Sequence, residues 1–179
     1  MPERLKLFLP LILFLLLATV FLVLQGRQAS GDYDPSALPS ALIGRTLPDF
    51  QLATLRSDET IGVADLPAGP YLLNVWATWC VACKAEHPYL NRLSEMGIRI
   101  VGLNYKDDRE DAIRWLQRLG DPYQLNIFDV EGSLGLNLGV YGAPETYVID
   151  EAGVVRYRQV GVLNERVWRK HIQPLGINW

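Results

Sequence analysis

Both cysteines of this 179-residue chain lie in one short stretch, Trp79-Cys80-Val81-Ala82-Cys83. Two thiols one helical turn apart can close a disulfide and reopen it, carrying two electrons with no cofactor. The residues before them form an apolar run of strand length and those after them have helical periodicity, which puts Cys80 at a helix start. Backbone N–H groups and the helix dipole favour a thiolate there. Cys80 is therefore expected to attack and Cys83, one turn on, to resolve. A metal site is the competing chemistry: Cys80, Cys83 and His87 have a usable ligand spacing for a copper or zinc carrier. A purely structural bridge is a poor explanation, because so small a loop removes little unfolded-state entropy.

Several elements must position this pair. Tyr71–Ala77 is nearly all apolar, as a strand covered on both faces should be, and a helix is expected over Cys80–Glu95 with a kink at Pro88. Arg99–Asn104 reads as another buried strand, followed by an amphipathic helix through Leu119, a strand over Gln124–Phe128 and a short helix over Gly132–Leu138. Thr146–Asp150 and Val154–Arg158 flank the turn Glu151-Ala152-Gly153 as a hairpin, and Asn164 suits the cap of a last helix ending near Pro174. Ahead of these, Asp49–Ala53 and Ile61–Val63 read as a short strand pair. Parallel strands joined through helices and finished by a hairpin make a mixed α/β sandwich.

The N-terminus is of another kind. Leu7–Leu24 contains no charge and is long enough for a membrane span. Arg4 and Lys6 precede it, so residues 1–6 are expected in the cytoplasm, 7–24 in the membrane, 25–41 as a Gly-, Ser- and Pro-containing linker, and 42–179 as one domain outside. Ala29-Ser30-Gly31 loosely resembles a signal cleavage site, but the apolar run exceeds an ordinary signal core, which favours a retained anchor. With 49% hydrophobic and 21% charged residues the chain can bury a real core, which excludes a disordered protein. The net charge of −3, with no basic block, argues against a nucleic-acid partner.

Leu72–Thr78 running into Trp79-Cys80-Val81-Ala82-Cys83-Lys84-Ala85-Glu86-His87-Pro88 resembles the redox site of a membrane-anchored thioredoxin-like protein. Gly139-Val140-Tyr141-Gly142-Ala143-Pro144-Glu145-Thr146 narrows the resemblance to the CcmG/DsbE thiol:disulfide interchange proteins of cytochrome c maturation. The resemblance implies a thioredoxin-like mixed central sheet flanked by helices, with Cys80 the exposed nucleophile and Cys83 the resolving thiol. Pro144 is then a cis-proline facing the disulfide, and Glu86 and Glu145 are acidic residues near it. It also implies a periplasmic, single-pass inner-membrane reductase. Its substrate would be the haem-attachment cysteines of apocytochrome c, met directly or through another maturation component, and a thiol-donating membrane protein would re-reduce it. A disulfide oxidase is the same-site alternative, because direction depends on relative potentials. At Asn74 the chain departs from general thioredoxins, whose buried strand carries an aspartate; Glu86 can substitute as proton acceptor. Trp79 is expected to pack beside the disulfide and restrict access.

Overall fold

The computed structural model describes the backbone of residues 3–30 and 42–179, and the side chains of residues 8–25 and 42–179. Two compact units divide the chain, at Leu38 and Pro39. The first holds α1 (Glu3–Ser30), whose stretch Phe8–Gln25 is long and apolar enough to cross a membrane. The helix continues past Leu24 into the segment read as linker, since Gln25–Ser30 contains no proline to stop it. Residues 31–41 of that expected linker lie outside the described residues.

In the second unit, β3 (Tyr71–Trp76), β4 (Ile100–Tyr105), β5 (Leu125–Asp129), β6 (Glu145–Ile149) and β7 (Val155–Val160) form one sheet in the order β5-β4-β3-β6-β7. β3–β4 and β4–β5 are parallel; β3–β6 and β6–β7 are antiparallel. The two parallel steps are connected by α2 (Val81–Glu95) and α3 (Arg109–Leu119). Successive crossovers of one hand, moving the same way across the sheet, put both helices on the same face. Return from β5 to β6 passes through α4 (Ser133–Leu138), which packs on the opposite face. The hairpin turn is closed by Asp150, whose carboxylate accepts the N–H groups of Ala152 and Val154 at 2.9 Å.

Every residue of β3 is buried, because it has a strand on each side and helices above and below. Side chains alternate between the two core layers. Leu72 and Trp76 join the layer of α2, α3 and the C-terminal segment, whereas Tyr71, Leu73 and Val75 join that of α4 and the N-terminal hairpin. Asn74 thus points into the α2 layer, below the cysteines.

Two local expectations change. The strand expected over Asp49–Ala53 shortens to β1 (Leu52–Ala53), which pairs with β2 (Thr60–Ile61). The last helix has only one α turn, α5 (Glu165–Val167), capped by Asn164, before it widens to a π turn over Trp168–Ile172 and tightens to a 3₁₀ turn with Pro174 inside it. A proline lacks the N–H that continued α pairing would need there.

Candidate active site

Cys80 ends the loop leaving β3 and caps α2. Its Sγ accepts the N–H of Cys83 at 3.0 Å, and the two cysteines form a disulfide with Cα atoms 5.3 Å apart. A sulfur held against a helix N–H is stabilised in the thiolate form once the bridge opens. The pair is well covered, with Cys80 6% and Cys83 2% exposed. Cys80 is accordingly less open than the exposed nucleophile that the resemblance implies, although its neighbours Val81 and Trp79 are 85% and 55% exposed. Across from it, the Ala143–Pro144 bond is cis, and the Ala143 carbonyl oxygen lies 3.3 Å from Cys80 Sγ.

Trp79 does not pack flat into the core. Its indole N–H donates to the Lys106 carbonyl at 3.0 Å, leaving over half of the side chain in solvent. Lys106 has a positive φ of 49°, and the next residue, Asp107, holds the approach to the cysteines: its carboxylate accepts Thr78 N–H at 2.7 Å and Thr78 Oγ1–H at 2.6 Å. It also accepts Asn104 Nδ2–H at 2.9 Å and Asp108 N–H at 3.0 Å. Sequence reasoning missed Asp107, which stands in the charged stretch Lys106–Asp111 with nothing local to mark it.

Glu86 is only 1% exposed, so it is not a solvated helix carboxylate. It occupies the same face of α2 as Cys83, one turn later. Oε1 accepts Asn74 Nδ2–H at 2.9 Å and Oε2 accepts the Leu163 N–H at 2.7 Å. Asn74 in turn accepts the Tyr123 hydroxyl at 2.8 Å and donates to Thr146 Oγ1 at 3.0 Å. Burial pushes the Glu86 carboxyl up to about 7, against the two hydrogen bonds that favour its ionised form. A carboxyl poised near neutrality can take and return a proton.

Glu145 is fully buried and turned away from solvent. Its Oε2 pairs with Arg158 Nη2 at 2.7 Å and accepts the Tyr147 hydroxyl at 3.0 Å. A carboxylate held this way braces the backbone beside Pro144 and does not meet an incoming chain with its own charge.

His87 does not complete a metal site. The ring is 2% exposed and edge-on to Trp115 at 4.2 Å, and its Nε2 hydrogen-bonds the Gly120 carbonyl at 2.9 Å. Burial lowers its pKa. Among the described residues no cluster of three His, Cys, Asp or Glu side chains could hold a metal ion. The copper or zinc carrier therefore lacks its third ligand: the i+4 spacing that suggested it places His87 in the core between α2 and α3.

Comparison with known proteins agrees with this geometry. The Redoxin family profile matches residues 42–172. The thiol:disulfide interchange protein DsbE of Yersinia pestis is 57% identical over 170 residues, which span 94% of this chain and 90% of that protein. DsbE of Escherichia coli K12 is 55% identical over 175 residues, 97% of this chain and 94% of its own. The crystal structure of a thio-disulfide isomerase from Thermus thermophilus shares the fold, with a TM-score of 0.63 at 24% identity over 76% of this chain and 99% of that one. With a helix-capping cysteine pair in a thioredoxin-like fold, the chain is a thiol-disulfide oxidoreductase and belongs to the DsbE/CcmG family of thiol:disulfide interchange proteins.

Proposed function

We propose that the protein is a reductase of cytochrome c maturation, anchored in the inner membrane by α1 with its catalytic domain in the periplasm. Similarity to DsbE proteins over more than nine-tenths of the chain supports the family role, and Arg4 and Lys6 ahead of one apolar helix agree with the topology. The observation that carries the chemistry is the Cys80–Cys83 bridge at the start of α2, beside the Ala143 carbonyl and above a buried Glu86.

In the reduced protein, the Cys80 thiolate attacks one sulfur of the substrate's Cys-x-x-Cys disulfide and expels the other as a thiolate. A mixed disulfide results. Glu86 accepts the Cys83 proton, and the Cys83 thiolate then attacks Cys80 Sγ, releasing the second substrate sulfur. The substrate gains two electrons from the protein and two protons, one returned by Glu86 and one from solvent, and the protein is left in the bridged form. Because the periplasm is kept oxidising, a membrane thiol donor must reopen the bridge. Pro144 and the Ala143 carbonyl guide the bound chain, and Trp79 forms the opposite rim.

Cys83→Ser tests the assignment. It leaves Cys80 able to attack but unable to be resolved, so mass spectrometry should find apocytochrome c, or a maturation protein that hands it on, bridged to Cys80. Cys80→Ser should capture nothing. Capture by Cys80→Ser and none by Cys83→Ser would reverse the two roles.

A further inference from the structure

Arg158 lies on the edge strand β7, far in sequence from the cysteines, and in alternation it reads as an ordinary polar strand residue. Its side chain is nevertheless only 6% exposed. The guanidinium reaches Glu145 Oε2 through Nε at 2.9 Å and Nη2 at 2.7 Å, and Nη2 also donates to the Gly139 carbonyl at 2.8 Å. It lies over the rings of Tyr141 and Tyr147, 5.0 and 5.6 Å from their centroids. The other oxygen of Glu145 accepts the Tyr141 N–H at 3.3 Å. One side chain thus ties together Gly139, Tyr141 and the first residue of β6, the two ends of the segment that carries Ala143 to within 3.3 Å of Cys80 Sγ.

We propose that Arg158 is a positioning residue for thiol–disulfide exchange with polypeptide partners, clamping the Gly139–Pro144 segment so that the Ala143 carbonyl stands beside Cys80. No particular substrate is required, since any chain reaching Cys80 meets the Ala143 carbonyl beside it. Tyr141 is 54% exposed, so the clamp fixes its backbone and one ring face while the rest of the ring meets solvent. Only arginine can do this, because its planar fork serves a carboxylate and a carbonyl at once, whereas lysine brings a single point charge. A buried Glu145 without its cation would be an uncompensated charge beneath the loop.

The test compares a protein dithiol with a small one. Full-length oxidised protein in detergent is reduced by reduced thioredoxin or by dithiothreitol, and the open cysteines are counted by quenched alkylation. Arg158→Met should slow thioredoxin between about ten- and a hundredfold, while dithiothreitol, which brings no polypeptide chain, changes less than about twofold. Arg158→Lys should fall between wild type and Arg158→Met. Glu145→Gln/Arg158→Met removes the stranded charge, so it should fold as wild type does and keep the thioredoxin defect; with Arg158→Lys it carries the test if Arg158→Met fails to fold. Equal losses with both reductants, or no loss with either, in these folded variants would overturn the proposal.

Discussion

Glu86→Gln should abolish a pH dependence of stability that wild type shows between about pH 4.5 and pH 7. The native carboxyl holds its proton up to about 7, against 4.5 in the unfolded chain. Over that interval the native state binds more protons than the unfolded state, so stability falls as pH rises. The contribution is complete below the unfolded value, where both states are protonated, and gone above the native value, where both are ionised. At about 1.4 kcal/mol per tenfold change in proton affinity, the interval is worth about 3 kcal/mol. Glutamine has the same shape, is neutral throughout, and cannot titrate. Urea denaturation of oxidised wild type and variant in detergent, at half-unit steps from pH 4 to 8.5, gives the difference in unfolding free energy at each pH, and other titrating groups cancel in it. The variant should gain about 3 kcal/mol on wild type from the bottom of the range to the top. A difference that stays constant with pH would mean that Glu86 titrates in the native protein as it does in the unfolded chain, and its role as proton acceptor for Cys83 would fall with it.

Other substitutions probe the frame around the cysteines. Asp107→Ala strands the donors of Thr78, Asn104 and Asp108 and should cost about 1–3 kcal/mol by urea unfolding. It should also change the indole emission of Trp79, isolated by subtracting the same spectra in a Trp79→Phe background. Gly102→Ala would put a methyl group 2.0 Å from Asn126 Oδ1 and 2.9 Å from Trp76 Nε1, breaking the bond between them, and should destabilise by about 1–3 kcal/mol in the same assay. His87→Ala should lower stability by about 2 kcal/mol, as loss of a buried, hydrogen-bonded ring does. Titration with zinc or copper should give the same affinity for the reduced variant as for reduced wild type; a drop of orders of magnitude would restore the carrier reading.

Much of the fold was legible because its signals are local. The nearly unbroken apolar run of β3 announced a central strand, and Glu151-Ala152-Gly153 marked the hairpin turn. The Cys-x-x-Cys pair sat where strand gives way to helix, so its chemistry could be inferred before any contact was known. Residues whose meaning depends on distant partners were harder to read. Glu86 follows Lys84 and Ala85 on a helix surface in sequence, yet it is buried because the Leu163 N–H, 77 residues on, reaches its carboxylate. Glu145 read as an acidic residue near the disulfide, and only the structure shows that Arg158, in the next strand, pairs with it. His87 shared ligand spacing with the cysteines, and the bond to Gly120 across the helix pair drew it into the core. The widening of the last helix into a π turn has no marker in composition.

The direction of electron flow is the central claim, and the redox equilibrium of Cys80–Cys83 tests it most directly. Purified protein is equilibrated with graded ratios of reduced to oxidised glutathione, quenched with an alkylating agent, and its reduced fraction read by mass. A donor of electrons to substrate disulfides should have a potential more negative than about −120 mV, the value of the strongly oxidising DsbA, and lie toward the about −270 mV of thioredoxin. A potential at or above that of DsbA would make the protein an oxidase and contradict the account.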